Sequence, residues 1–369
     1  MQPRRAIQGF VLGAIFLAIG LVVAFAVAYA ITDGQIVELA RVALLHLQLR
    51  EHQSELFAPY GKGEGAIRFT IRPGADAAAI ASSLFDASLI RDKQLFLDYA
   101  RVEGLDRKFE AGVYFLNETL SIAEIAPLLT DSSSSHILFR TVEGARIEEI
   151  AALIDSNGLF GFTGDEFLGT VQAGADLPSD FAGWAGIPAG ASLEGFLFPD
   201  TYQLPPDISP IALRGFLLDT FRDRAGDQLR ADALAQGFTM HQIVTLASIV
   251  EREAVWREEH DDIAGVYRNR LAINMKLEAD PTVQYGLQGS RDGWWPNITR
   301  ADYRQVMSPY NTYLFGGLPP GPIASPGLSA IQAAIYPAES NFYYFRAACD
   351  NSHFHNFAVT FDEHVANGC

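Results

Sequence analysis

The chain has 369 residues, 49% of them hydrophobic and 19% charged, enough for about two domains beyond any membrane segment. Its 44 acidic and 27 basic residues leave a net charge of −17, which excludes nucleic acid as a main partner, because phosphate binding needs a basic face. The same charge disfavours docking on an anionic membrane surface.

Residues 1–9 form a short head carrying Arg4 and Arg5. From Phe10 to Ile31 no residue is charged, and a helix of that length crosses a hydrocarbon core of about 30 Å. Arginines before the span and Asp33 and Glu38 after it place the head in the cytoplasm and the remainder outside. Ala26-Val27-Ala28 and Ala28-Tyr29-Ala30 resemble the cleavage sites of a secretory signal. Signal segments usually hold only about 7–15 apolar residues, so a retained single-pass anchor over 10–31 is expected.

Residues 32–65 read as a juxtamembrane linker. Its Leu-rich part, Ile36 to Leu56, has helical character, and Gly61-Lys62-Gly63-Glu64-Gly65 reads as a flexible break. A compact unit is expected over 66–145. Residues 66–71 alternate like a strand, Arg72-Pro73-Gly74 turns, Ala77 to Leu84 and Lys93 to Val102 have helical spacing, and Ala111 to Leu116 returns as a strand. A weak repeat runs through it: Ile71-Arg-Pro-Gly74 with Ile80, Ala81 and Leu84 recurs as Val142-Glu-Gly144 with Ile150, Ala151 and Ile154. Two ordinary strand–helix units would explain this pattern. The order of strand, two helices and strand is also loosely similar to LysM-type modules, which are small glycan-binding units.

Residues 146–369 are expected to form a larger domain, so the fold class is α+β. Leu193 to Tyr202 packs Gly, Pro and aromatics around Glu194 and Asp200, as a buried turn or as part of a site. Thr239-Met-His-Gln242 is a capping box, and the helix it opens carries Ile243, Ala247, Val250 and Ala254 on one apolar face. Glu251 lies beside that face, whereas Glu253, Glu258 and Glu259 look solvated. A carboxyl held against apolar groups has a raised pKa, which a general acid needs near neutrality. Most such glutamates on amphipathic helices are rim residues, and the choice of Glu251 leans on the segments downstream of it.

Those segments are Val266 to Leu271, Met275 to Gly286, Ser308 to Tyr313 and Gly317 to Ile323. They combine Pro and Gly with Tyr, Asn, Thr and Gln, side chains suited to stacking on and hydrogen-bonding to sugars. Long loops of this kind usually carry function on a rigid scaffold. No cofactor or metal is expected: His241, His260, His353, His355 and His364 lack ligand spacing, and no Gly-rich phosphate loop follows a strand. His364 is expected to pack or hydrogen-bond near the C-terminus. Cys349 and Cys369 could pair outside the cytoplasm or remain free thiols.

From the anchor to His364 the chain resembles the YceG-like endolytic murein transglycosylases (the MltG family). The resemblance is carried by Leu193–Tyr202, Ala247-Ser-Ile-Val-Glu251, Asn269-Arg-Leu271, Asp280-Pro-Thr-Val283, Ser308–Tyr313, Gly317–Ile323, and the late Phe357, Thr360 and Glu363-His364. It implies a membrane-proximal LysM-like subdomain, a distal catalytic domain, and the catalytic glutamate at Glu251. Substrate contacts are expected from Glu194, Asp200, Tyr202, Ser248, Asn269, Gln284, Tyr310, Asn311 and Tyr313. Two departures stand out: Glu278-Ala279 occupies a place where the family usually has Gln-Thr or Gln-Ser, and Ser325-Pro326-Gly327 replaces Asn-Pro-Gly. Neither is expected to touch Glu251.

The resemblance implies a lyase that cleaves the bond between N-acetylmuramic acid and N-acetylglucosamine and leaves 1,6-anhydromuramyl ends. Glu194, Asp200 and Glu278 are candidates for stabilising the oxocarbenium-like charge. The family also implies peptidoglycan strands and peptidoglycan synthase complexes as partners, at the bacterial inner membrane with the catalytic domain outside, ending nascent strands. A hydrolytic muramidase using a second carboxylate, or a glycan-binding scaffold without activity, would be the alternatives.

Overall fold

The computed structural model describes residue 22, residues 44–287 and residues 293–369. The apolar span expected over 10–31 lies outside the described residues apart from residue 22, and among the described residues no single helix is long and apolar enough to cross a membrane. The chain is mixed α+β and divides into two compact units, Met1–Ser135 and His136–Cys369.

In the first unit, strand β1 (Ile67–Ile71) pairs antiparallel with β2 (Gly112–Leu116), Ile67 opposite Leu116 and Ile71 opposite Gly112. Between them lie helices Ala77–Asp86 and Lys93–Val102. Each starts where an aspartate supplies the missing acceptor for first-turn amides: Asp76 accepts from Ala79, and Asp92 from Gln94 and Leu95. Ile80, Leu84, Phe96, Tyr114 and Leu116 meet in one core. The glycine-rich stretch expected to be a flexible break is docked at two points, because the amides of Gly61 and Gly63 bind the carbonyl and carboxylate of Glu118.

In the second unit, β3 (Ile137–Arg140) pairs with β4 (Thr201–Leu204), and β5 (Tyr344–Ala347) with β6 (His355–Ala358), both antiparallel. Both copies of the weak repeat fold alike, as a strand, a turn with a glycine at positive φ (Gly74 and Gly144), and a helix, Ala77–Asp86 and Ile147–Asn157. The remainder of this unit is built around helix Met240–Glu253. It packs against helices Leu328–Ile335, His260–Ala272, Asp280–Gly286 and Pro210–Ala235. Every residue from Ile243 to Val250 is buried, so over these two turns this is a core helix enclosed on all sides rather than a surface helix with one dry stripe.

Phe221 anchors an aromatic cluster beside it, with ring centroids 5.1 Å from Phe196 and 6.2 Å from both Phe181 and Phe198. Phe196 in turn stacks on His241 in the first turn of the core helix. At the C-terminus Cys349 and Cys369 are joined, their Cα atoms 5.6 Å apart and 20 residues apart in sequence. Closing a loop of that length is worth about 3 kcal/mol on a chain-entropy account.

Candidate active site

The core helix begins with the expected capping box: Thr239 Oγ1 accepts from the Gln242 amide, and Gln242 Oε1 accepts from the Thr239 amide. It ends at Ala254, whose backbone is extended. Near that end stand Glu251 and Glu253. Two residues on an α-helix project roughly 200° apart, so these carboxylates enter different surroundings.

Glu251 faces a backbone latch. Its Oε2 accepts the amide of Gly327, 2.9 Å away, the residue that opens helix Leu328–Ile335. The segment bearing Gly327 is pinned from both sides. The Ile323 amide donates to Ser248 Oγ at 3.0 Å, and Ser325 exchanges two 2.8 Å bonds with Ala145 and Gly144. Burial raises the Glu251 pKa and the nearby Glu143 charge adds to this, against the Gly327 amide and the charges of Arg257 and Arg252. The Ser-Pro-Gly departure was expected not to touch Glu251, yet its glycine makes the direct contact. Such a backbone contact depends on the path of the chain and leaves no side-chain signal.

Glu253 opens on a cavity of about 360 Å³. The expectation that it is solvated is corrected here: it is partly buried, and its Oε1 accepts the hydroxyl of the buried Tyr267 at 2.7 Å. Burial pushes its pKa up to about 7, and the charge of Asp280 pushes the same way against Tyr267 and Arg270. Arg270, buried behind it, donates to the carbonyls of Tyr343 and Leu277. Tyr344, Phe345 and Phe361 supply aromatic wall.

Glu278 also lines the cavity, at a backbone φ of 49°. A residue with a side chain held in this region costs about 1–3 kcal/mol, tolerated where the surroundings over-determine it. Here they do: Ala279 donates to Thr312 Oγ1, Thr312 donates back to Thr282 Oγ1, and Thr282 caps onto the Ala279 carbonyl. His364 packs against Tyr344 and Phe361, as expected, and also reaches the cavity.

Of the residues singled out in the sequence, Tyr313 shares the cavity with Glu253, its hydroxyl donating to Asp280 Oδ1 at 2.6 Å. Asn311, fully buried, holds the loop before it through the carbonyls of Tyr303 and Val306. Asn269 donates to the carbonyls of Ser340 and Phe342, and Gln284 to that of Pro296. Ser248 Oγ, besides accepting from Ile323, donates to the Thr245 carbonyl at 2.8 Å. Tyr202 lies on β4 with its hydroxyl on the Phe198 carbonyl. Asp200 pairs with Arg224 at 2.7 Å, and its pKa is lowered first by the Thr201 amide and then by Arg224.

Glu194 and Tyr310 belong to a separate cluster. Tyr310 packs on Tyr285, centroids 4.7 Å apart, and the Tyr285 hydroxyl donates to Glu194 at 3.3 Å. Arg146 lies over the rings of Tyr285 and Trp295, and Arg252 lies over Trp295 from the core helix. Glu194 is fully buried at the amide of Ile147, the first residue of its helix. Burial, with the charge of Glu148, drives its pKa to about 8 against the Ile147 amide, Arg146 and Tyr285.

A carboxyl whose folded pKa is raised binds its proton more tightly in the native state. Its stabilising contribution is therefore complete below the unfolded pKa, near 4.5, and is lost as pH rises through about 8. Melting temperature is accordingly expected to fall between about pH 5 and pH 8, with Glu253 contributing in the same sense. In Glu194→Gln the fall should be shallower, since one titrating group is gone. Parallel melting curves for the two proteins across that range would contradict this account of Glu194.

The site residues that sequence reasoning passed over are Glu253, Tyr267, Arg270 and Asp280. Tyr267, Arg270 and Asp280 lie within the segments Val266–Leu271 and Met275–Gly286 that the sequence marks out, and Glu253 is the second carboxylate of Glu-Arg-Glu, which helical spacing alone turns toward water.

Comparison with known proteins gives a consistent picture. The YceG-like family model matches residues 69–368. The chain is 30% identical over 294 residues to the endolytic murein transglycosylase of Bacillus subtilis (strain 168), covering 76% of this chain and 78% of that protein. It is 29% identical over 299 residues to the endolytic murein transglycosylase of Streptococcus pneumoniae serotype 2 (strain D39 / NCTC 7466), covering 75% of this chain and 53% of that longer protein. The 2.6 Å crystal structure of a YceG-like protein from Listeria monocytogenes superposes with a TM-score of 0.53 at 28% identity, over 83% of this chain and 99% of that one.

Proposed function

The chain belongs to the YceG-like family, and from that premise we propose that it is an endolytic peptidoglycan transglycosylase with Glu253 as its proton donor and acceptor. The observation that carries the assignment is a carboxyl on the wall of a cavity of about 360 Å³, hydrogen-bonded to Tyr267, where burial pushes its pKa up. The resemblance read from sequence gave this role to Glu251. Glu251 instead holds the start of a helix, and the role moves to the glutamate that faces open space.

In this mechanism the protonated Glu253 gives its proton to the oxygen bridging N-acetylmuramic acid and N-acetylglucosamine. The bond to the muramyl C1 breaks as positive charge develops on the ring. The resulting carboxylate takes the proton of the muramyl C6 hydroxyl, whose oxygen closes on C1. A 1,6-anhydromuramyl end forms, no water is consumed, and Glu253 is again protonated. Because the nucleophile belongs to the same sugar, its effective concentration is high. One carboxyl serves as acid and then base, which suits a pKa close to working pH.

Around this chemistry the reading includes a single-pass anchor over 10–31 in the bacterial inner membrane, a LysM-like glycan-binding unit over 66–145, and a catalytic domain over 146–369 outside the cytoplasm. The Cys349–Cys369 pair supports an oxidising compartment. Termination of nascent strands beside peptidoglycan synthases completes it. The second reading, a hydrolytic muramidase, is favoured by Asp280, a second carboxylate in the same cavity.

Mass spectrometry of fragments released from purified glycan strands separates the two. Ends one water lighter than the hydrolysed form are expected to dominate. A majority of water-added reducing ends would replace the transglycosylase with the muramidase.

A further inference from the structure

We propose that Asp280 is a second catalytic carboxylate of this cavity, which stabilises the positive charge that grows on the sugar ring as the glycosidic bond breaks. The inference rests on Glu253 being the proton donor there.

Asp280 lines the same cavity as Glu253. Its two oxygens are clasped by two phenols, Tyr313 at 2.6 Å on Oδ1 and Tyr303, on the short helix Asp302–Gln305, at 3.4 Å on Oδ2. The two rings stack with centroids 4.2 Å apart, so the clasp is stiff. The carboxylate sits at the first residue of helix Asp280–Gly286, on backbone tied down by the Ala279–Thr282–Thr312 hydrogen bonds. The strained Glu278 lies two residues before it. Pre-set orientation of this kind is what electrostatic catalysis requires, because no reorganisation is then needed as charge develops.

The two arginines of the cavity are otherwise engaged, Arg346 by the His364 carbonyl. Arg270 directs its Nε and Nη1 to backbone carbonyls, whereas the hydrogen-bond partners of Asp280 are neutral hydroxyls. Neutral donors orient a carboxylate without cancelling its charge, which leaves that charge to act on the cavity. A carboxylate serving only to start a helix would need neither the phenol clasp nor a place on the cavity wall. No bond to Asp280 forms or breaks in this scheme. It provides charge while Glu253 moves the protons.

The charge also reaches Glu253, whose surroundings are Tyr267 and Arg270 from helix His260–Ala272, Glu278 and Asp280, Tyr313, Arg346 and His355 from the β5–β6 hairpin, and His364. Among these Asp280 raises the Glu253 pKa. Removing its charge should therefore let Glu253 lose its proton at lower pH.

The test is Asp280→Asn beside Glu253→Gln, assayed on purified glycan strands for kcat, KM, pH profile, end-group mass and melting temperature. Asp280→Asn is expected to lower kcat about 10²-fold with KM changed less than about threefold. The alkaline limb of its pH profile should move to lower pH, and the remaining product should keep anhydro ends. Should Asp280→Asn fold poorly, Tyr303→Phe with Tyr313→Phe releases the carboxylate without removing it and should also lower kcat. Unchanged kcat in either soluble variant overturns the proposal. So does a loss of rate matched by lowered melting temperature with the alkaline limb unmoved, which would make Asp280 a helix-starting residue only. Water-added ends in the wild type that vanish in Asp280→Asn would make it the base or nucleophile of a hydrolase instead. An active Glu253→Gln removes the reading of the site itself, whereas an inactive Glu253→Gln beside a fully active Asp280→Asn removes this inference alone.

Discussion

Glu253→Gln is expected to lower turnover on glycan strands by about 10²–10⁴-fold, the usual contribution of general acid–base catalysis. The amide has nearly the same shape and still offers an oxygen to the Tyr267 hydroxyl, so the cavity wall should stay in place. It has no proton to give the bridging oxygen and takes none from the C6 hydroxyl, so both half-reactions fail together. Melting temperature should be preserved or rise at alkaline pH, because a partly buried carboxyl with a raised pKa no longer has to ionise there.

Glu251→Gln is the paired control. Its oxygen can still accept the Gly327 amide, and what disappears is a charge flanked by Glu143, Arg252 and Arg257. A loss of activity well below tenfold is expected, with some change in stability. The comparison reads out the side of the helix that carries chemistry. An inactive Glu251→Gln beside an active Glu253→Gln would return the acid to the position suggested by sequence resemblance and would make the cavity a bystander.

The second large effect concerns stability. Phe221→Ala should cost about 3–5 kcal/mol, the range for truncating a buried aromatic ring. Phe221 is fully buried, and Phe181, Trp184, Phe196 and Phe198 all pack on it. A hole surrounded by rigid rings on several elements collapses poorly, which places the cost toward the upper end of that range. For a unit of this size the melting temperature of the second unit should fall by about 6–20 °C in calorimetry. Phe196 and His241 connect the cluster to the start of the core helix, so activity should be lost on warming before it is lost at low temperature. A fall under about 2 °C would show that the cluster does not anchor this unit.

Much of the local structure was legible in the sequence. The strands over 66–71 and 111–116 and the helices over 77–84 and 93–102 appear within a residue or two of their expected limits, because alternation and helical spacing are set by backbone geometry within a few residues. The Thr239–Gln242 box marks the start of the core helix for the same reason: its hydrogen bonds close over three residues. The β3–β4 pairing was not legible, since Ile137 meets Leu204 across a long stretch of chain.

Polar side chains show the limit most clearly. Asn269, Gln284 and Asn311 have the chemistry to bind sugars, and the fold turns their amides to backbone carbonyls. Nothing in an amide's own neighbourhood says which acceptor will arrive.

The choice between Glu251 and Glu253 has the same origin. Composition, motif order and the capped apolar helix determined a mixed α+β protein and pointed to the carboxyls at the end of that helix. An amphipathic reading then assigned one glutamate to the apolar rim and the other to water, but a helix enclosed on all sides from Ile243 to Val250 has no wet face along that stretch to set the pattern. Which carboxyl meets a cavity was decided by Tyr267, Asp280, Tyr313 and the β5–β6 hairpin, segments that arrive from later in the chain. Periodicity is a property of consecutive residues, whereas desolvation and the pKa it sets depend on whatever closes over the group, and only the tertiary structure supplies that.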